Sequence, residues 1–143
     1  MNAEVIGLTV YQKRGEPGIP QSELDLLEGL GVEGDSRQGG TRQVSLLSAE
    51  ARCWMEAQSE KGLCFDRFHE NILLKGFPME SLTPGVRLSA GSAVLRISER
   101  KECFPECTLV AKGALCRLSR CAVFAVVEQG GRIRIKDSVS ILR

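Results

Sequence analysis

The sequence has few aromatic residues, one histidine and almost no excess of either charge. Trp54 and Tyr11 are its only tryptophan and tyrosine, and Phe occurs five times. A core built from this chain must therefore be mostly aliphatic. Lys and Arg together number 19 against 18 Asp and Glu. Because the two charges nearly cancel, we expect neither nucleic acid nor a membrane surface as a partner, although a local basic pocket is compatible with this balance.

Long apolar runs are also absent. No stretch approaches the roughly 20 apolar residues of a membrane span. Residues 1–11 contain Glu4 and lack the apolar run of a signal peptide, so we expect a cytoplasmic protein. In that reducing compartment the six cysteines are expected to be thiols, reactive groups or metal ligands rather than structural disulfides. Cys53 and Cys64 stand apart from the other four, and we expect both to be small buried residues.

Common catalytic and nucleotide-binding motifs are missing as well. The glycine-rich segment 31–40 lacks the pattern of a phosphate-binding loop, and no strand–loop–helix unit surrounds it. His69 has no GxSxG nucleophile motif to work with, so we expect it at the surface or partly packed. The chain carries no recognisable flavin, haem or iron–sulfur motif, so any redox role requires a separate electron donor.

Short strands separated by turn residues dominate what is present. The length of 143 residues fits one domain spanning 1–143. Ser48 is expected to cap the one main helix, over about 49–60, which Gly62 would end. Segment 24–30 fits a strand or a helical turn. The patterns predict a closed or nearly closed β-barrel with short helical turns. The predicted strands are 3–12, 42–47, 71–74, 86–88, 93–98, 122–128, 132–135 and 139–142.

Four cysteines lie close together between 103 and 121, among basic residues. Nearby cations favour the thiolate, which is both a nucleophile and a soft metal ligand. This pattern indicates a sulfur-ligated metal beside an anionic ligand. The alternative is a structural zinc site, although zinc motifs usually have two residues between paired cysteines. The thiols are Cys103, Cys107, Cys116 and Cys121, and the cations are Arg100, Lys101, Lys112, Arg117 and Arg120.

Five sequence blocks, in this order and spacing, resemble the MOSC family, the domains similar to the C-terminal part of molybdenum-cofactor sulfurases. The resemblance covers about residues 31–142 and is to the short, stand-alone type. Its specificity comes from the co-occurrence of the blocks. They are GVEGDSRQGG-x-RQVSLLS (31–48), F-x-ENILLKG (68–76), L-x-PGVRLSAGSAVLRIS (82–98), KEC-x3-C (101–107) and AVFAVVEQGGRIRIKDSV (122–139).

The resemblance implies a β-barrel of the MOSC type and a functional cysteine. Carried over to this chain, it points to Cys107 as molybdenum ligand or sulfur carrier, with Cys103 as the alternative or a resolving partner. The implied function is binding of the molybdenum cofactor, molybdopterin, to carry or transfer the cofactor or its sulfur. Whether the chain also catalyses a reaction is left open. Implied partners are proteins of cofactor biosynthesis or molybdoenzymes.

The resemblance also implies residues for the phosphate and pterin of the cofactor. Arginine suits a phosphate because its planar fork can donate two hydrogen bonds at once. Asn71 and Asp35 could instead be ordinary hydrogen-bonding loop residues. No lysine is evident for pyridoxal phosphate, which a separate domain of the sulfurases uses. The candidates for the cofactor are Arg37, Arg42, Gln43, Asn71, Lys101 and Arg120.

Four positions depart from the family pattern. Arg37 and Gln38 replace a His-Ala pair, which removes any role for an imidazole but lets Arg37 contact an anion. Cys121 stands where short relatives have Glu. Lys136 replaces a glycine, which predicts that position 136 does not need a positive φ. The remaining alternative is a non-enzymatic binding or scaffold module that keeps the barrel without a metal.

Overall fold

The computed structural model describes residues 2–57, 69–77, 79–101 and 122–142, and strands make up most of them. Within these ranges, one α-helix, α1 (Ala49–Ala57), and one 3₁₀ turn (Met79–Ser81) accompany the strands. The strands are β1 (Asn2–Val10), β2 (Ile19–Pro20), β3 (Glu23–Leu27), β4 (Gly31–Val32), β5 (Val44–Ser48), β6 (Ile72–Lys75), β7 (Arg87–Ala90), β8 (Ala93–Arg100), β9 (Ala122–Gln129), β10 (Gly131–Arg134) and β11 (Ser138–Ile141).

Seven strands close into a barrel in the order β1-β6-β5-β9-β8-β7-β11, and β11 pairs with β1 to complete the circle. The pair β5–β6 is parallel, whereas the other pairs are antiparallel. A parallel pair needs a crossover connection, and α1 lies in the connection from β5 to β6. The prediction of a mostly β chain with a closed barrel is confirmed. Segment 24–30 forms a strand, β3, which joins β10 and β4 in a small second sheet.

The barrel interior is aliphatic, as the composition predicted. Among the described residues, Phe77 is the only aromatic residue of the core cluster. Val44 and Leu46 of β5 point into this core, so Ser45 lies on the outer face of the same strand. Ser45 is paired in register with Phe124 of β9. These two outward-facing neighbours form the floor of the candidate site.

The helix begins where the sequence predicts. The Ser48 hydroxyl accepts a hydrogen bond from the Ala51 N–H at 3.0 Å, which is the N-cap contact. The predicted end of the helix near 60, Gly62 and Cys64 lie outside the described residues. The Cys53 prediction was wrong: its side chain is exposed. Ala51 is the buried residue of this turn, and two residues along a helix correspond to about 200° of rotation, which turns Cys53 to the opposite face.

Lys136 contradicts its prediction. Its φ is 76°, and it is the only non-glycine residue with a positive φ in the described part of the chain. The residue lies in the turn between β10 and β11, where its N–H donates to the Val5 carbonyl at 2.7 Å. The prediction failed because this turn still requires the left-handed conformation that the family's glycine adopts without strain. Within the described ranges, no helix is both long and apolar enough to span a bilayer.

Candidate functional site

Three buried polar side chains, Asp35, Ser45 and Asn71, form a hydrogen-bond network beneath the candidate site. Asn71 Nδ2 donates to Asp35 Oδ2 at 2.9 Å, and Asn71 Oδ1 accepts the Ser45 N–H at 3.0 Å. Asp35 also accepts the backbone N–H groups of Tyr11 at 3.1 Å and Arg37 at 2.9 Å. The network therefore fastens the glycine-rich loop to strands β5 and β6 and to the end of β1.

The amides of Asn71 and Gln43, two residues expected near the cofactor, are occupied by protein groups. Asn71 Nδ2 donates a second bond to the Thr9 carbonyl at 3.1 Å, and the residue is fully buried. Gln43 Nε2 donates to the carbonyls of Gly29 and Gly40 at 3.1 and 3.0 Å, while its Oε1 accepts the Val127 N–H at 3.0 Å. In this arrangement both side chains position the backbone around the site.

The glycine-rich loop approaches Gln43 closely at Gly31. A Cβ at position 31 would lie 2.8 Å from the Gln43 carbonyl oxygen, and Gly31 has a φ of 129°. Both features exclude other residue types at this position. The loop that carries Arg37 is thus held against the start of β5 by backbone geometry as well as by hydrogen bonds.

Arg37 projects into the site, and only one nitrogen of its guanidinium, Nη2, donates hydrogen bonds to described residues. Its Nη2 donates to the Ser45 hydroxyl at 3.0 Å and to the His69 carbonyl at 3.1 Å, with Asn71 Oδ1 at 3.5 Å. Among the described residues, no carboxylate lies within ion-pair distance of the group. Desolvation lowers the pKa of Arg37, but arginine remains protonated in proteins. A half-buried cation held by neutral acceptors favours the approach of an anion.

Arg42 shares an aromatic ring with Arg37. The guanidinium carbon of Arg42 lies 4.7 Å from the centroid of the Phe124 ring, and that of Arg37 lies 5.9 Å from it. Both distances are within the range of cation–π contacts. Arg42 is more exposed, and its Nε and Nη2 bind Glu99 Oε1 at 2.8 and 2.7 Å. The two cations are close enough that the charge of Arg42 helps to lower the pKa of Arg37.

An aromatic stack supports the segment that holds Arg37. The rings of Tyr11 and His69 are stacked with centroids 4.8 Å apart, and the Tyr11 hydroxyl donates to the Glu70 carbonyl at 3.1 Å. Arg52 of α1 forms an ion pair with the Glu70 carboxylate. Burial, followed by the Glu70 charge, raises the pKa of Tyr11 to about 12. His69 is partly packed, as predicted, and its carbonyl, together with the Ser45 hydroxyl, orients Arg37.

The remaining candidates follow β8 or precede β9 in the sequence. The Lys101 N–H donates to the Ala122 carbonyl at 3.0 Å, which joins the two strand ends beside the site. Cys103, Cys107 and Arg120 fall outside the described residues, as do the other two cysteines of the zinc alternative. Elsewhere, in the residues that the structure does describe, no group of three His, Cys, Asp or Glu side chains could hold a metal ion.

Sequence reasoning identified Arg37 and Arg42 but missed four residues that surround them. Ser45 lies within the RQVSLLS block and Phe124 within AVFAVV, so the blocks contained a signal for both. Nothing in the sequence marks Tyr11 or Glu99, because each is brought to the site by contacts across the barrel. The assembled site presents two guanidinium groups over one ring, an arrangement suited to an oxyanion attached to a flat group.

Comparison with known proteins shows the same fold in solved structures. No family model and no curated protein matches the chain. YuaD from Bacillus subtilis is 20% identical with a TM-score of 0.71, covering 97% of this chain and 94% of its own. YiiM from Escherichia coli is 19% identical with a TM-score of 0.63, covering 100% and 70%. YiiM from Geobacillus stearothermophilus is 16% identical with a TM-score of 0.68, covering 99% and 75%. The family resemblance is thereby confirmed at the level of the fold.

Proposed function

Because the chain has the fold of the stand-alone MOSC-domain proteins YuaD and YiiM, we propose that it binds the molybdenum cofactor and carries or transfers the cofactor or its sulfur. The observation that carries this proposal is the Arg37 guanidinium. It is half-buried and its guanidinium donates only to neutral acceptors. No carboxylate within the described residues forms an ion pair with it, although the nearby Asp35 charge partly offsets the effect of desolvation, which lowers its pKa. The terminal phosphate of molybdopterin is a fitting counter-ion for such a group.

The residues that are present fit the charged and flat parts of the cofactor. Arg37 Nε and Nη1 have no hydrogen-bond partner in the described part of the chain, so they can donate to phosphate oxygens. Arg42, 59% exposed at its side chain, presents a second guanidinium over Phe124. In this proposal Arg37 and Arg42 contact the ligand. Asn71 and Gln43 act as positioning residues.

The cysteines supply the second half of the proposal. Glu99 and Phe124 lie on the strand pair β8–β9, whose ends carry Lys101 and Ala122. Cys103 follows Lys101 by two residues, and Arg120 precedes Ala122 by two. The described ends of β8 and β9, which precede and follow the Cys-rich segment in the sequence, therefore lie beside the arginine pair. When bound, the cofactor brings a molybdenum atom already held by two sulfur atoms, for which the Cys107 thiolate is a suitable further ligand.

The deciding experiment measures molybdenum and pterin in protein purified from a molybdenum-competent host. We expect Cys107→Ser to abolish retention or sulfuration of the cofactor, and Arg37→Ala to reduce retention about tenfold or more. Arg87→Ala is the matched control, since Arg87 is an exposed arginine in an ion pair with Glu128. It should retain wild-type levels.

The outcomes separate the alternatives. Wild-type retention in Cys107→Ser, Cys103→Ser and Arg37→Ala would contradict the proposal. Wild-type protein without any bound pterin would favour the scaffold alternative. Zinc that survives desalting in stoichiometric amount would favour the structural metal site.

The proposed role requires other proteins. A carrier must receive the cofactor or its sulfur from a biosynthetic protein and deliver it to a molybdoenzyme. Any reduction at the metal would need a separate electron donor, because the sequence has no redox motif of its own. Cytoplasmic localisation fits this exchange, since the cysteine must stay reduced to act.

A further inference from the structure

The guanidinium groups of the two arginines of the site differ in the acceptors that they contact. Arg37 has only neutral acceptors among the described residues, whereas Arg42 is already paired with a carboxylate. Glu99 Oε1 accepts from both Nε and Nη2 of Arg42, and Glu99 Oε2 accepts the Thr41 hydroxyl at 2.9 Å. One of the two edges through which Arg42 could bind an oxyanion in a bidentate manner, Nε–Nη2, is therefore occupied by a side chain of the protein itself.

The position of Glu99 follows from an irregularity in β8. The register between β8 and β9 shifts between Ile97 and Glu99, so Glu99 is paired with Phe124. The Ser98 hydroxyl bonds the Thr41 carbonyl in the same region. The bulge therefore aims the carboxylate across the site at Arg42. Arg42 also helps to lower the pKa of Glu99 through their hydrogen bond, so the carboxylate is charged at neutral pH.

We propose that Glu99 is an internal competitor that weakens anion binding at Arg42 and so keeps the bound ligand exchangeable. This inference rests on the proposed function, because it concerns the same anion site. An incoming phosphate must either displace the Glu99 carboxylate from Arg42 or bind beside it and be repelled. Either route lowers affinity and speeds release. Both effects suit a protein that hands its ligand on rather than retaining it as a permanent cofactor.

The charge of Glu99 can be removed with little change in shape. In Glu99→Gln the amide oxygen can still accept from Arg42, while the negative charge is lost. One unit charge at contact distance in a partly exposed site corresponds to about a tenfold change in affinity. We therefore expect Glu99→Gln to bind anions about tenfold more tightly than the wild type.

Inorganic phosphate is the probe, titrated at low ionic strength into the purified full chain and followed by phosphorus NMR. Four proteins are compared: wild type, Glu99→Gln, Arg42→Ala and the double variant Arg42→Ala/Glu99→Gln. If Glu99 acts through Arg42, the tenfold gain should shrink to less than about threefold in the Arg42→Ala background. Melting temperatures establish that each variant is folded.

Unchanged or weaker phosphate binding in Glu99→Gln overturns the inference, because Glu99 would then merely hold Arg42 in place. An equal gain with and without Arg42 also overturns it, since the carboxylate would act only at a distance. Failure of the proposed function looks different. In that case Arg37→Ala, titrated in the same way as a fifth protein, would bind phosphate as tightly as the wild type, whatever the effect of Glu99→Gln.

Discussion

Asn71 donates a hydrogen bond of 2.9 Å to Asp35 across 36 residues of sequence. Both side chains are buried, and this contact connects the strand β6 end to the loop that carries Arg37. The relationship explains why a loop with several glycines can present a charged side chain in a defined place. The cation is oriented by Ser45 and the His69 carbonyl, and the loop is oriented by Asp35 and Asn71.

Removal of the Asn71 amide should destabilise the whole fold. Asn71→Ala leaves the Asp35 carboxylate and the Ser45 N–H without one of their partners in a buried place, which costs about 2–4 kcal/mol of unfolding free energy. Urea unfolding measures the change. Gln12→Ala, which removes an exposed amide, serves as the control. A loss below about 1 kcal/mol would show that water replaces the amide and that the network is not structural.

Replacement of Lys136 by glycine should raise the free energy of unfolding. The residue has a φ of 76°, and relief of this left-handed strain should stabilise Lys136→Gly by about 1 kcal/mol. Lys136→Ala removes the same side-chain charge but keeps the strain, so its stability should stay within about 0.5 kcal/mol of the wild type. Equal stability of the two variants in thermal unfolding would mean that the turn relaxes at no cost.

Cys107 should react with iodoacetamide faster than Cys53. The exposed Cys53 on α1 provides an internal reference for an accessible thiol, whereas cations near Cys107 in the sequence should favour its thiolate. Mass-mapped labelling of the native protein over time gives both rates. A Cys107 rate equal to or below that of Cys53, together with the same result for Cys103, would count against a reactive thiolate in this segment.

The Tyr11 hydroxyl should ionise at a higher pH than that of an ordinary tyrosine. It is the only tyrosine, so phenolate absorbance reports on it alone. Its pKa is raised from 10.0 to about 12, mainly by burial. The neutral hydroxyl therefore contributes stability that is complete below pH 10 and is lost as the pH rises toward 12. In concentrated urea the midpoint should return to the ordinary value. A midpoint near 10 in the folded protein would mean that the hydroxyl is hydrated and would contradict its burial.

The strands and the helix start could be predicted from the sequence because their causes are local. Alternation of apolar residues, turn-forming glycines and the Ser48 cap act over a few residues. The order and spacing of five blocks indicated the family resemblance. That resemblance in turn suggested Arg37 and Arg42 as candidates. The mostly aliphatic core also followed directly from composition, since the chain has few aromatic residues to place there.

Other features were decided only by the tertiary structure, because they depend on contacts between residues from distant parts of the chain. Glu99 reaches Arg42 across 57 residues, and strand register sets Phe124 beside Ser45. Asn71 was expected near the cofactor, yet its amide is directed into a buried network. Cys53 is exposed because of the face that α1 turns to the barrel, and Lys136 takes a positive φ because the β10–β11 turn demands it. Helix orientation, strand register and turn strain are set by packing of the whole barrel, so no local pattern encodes them.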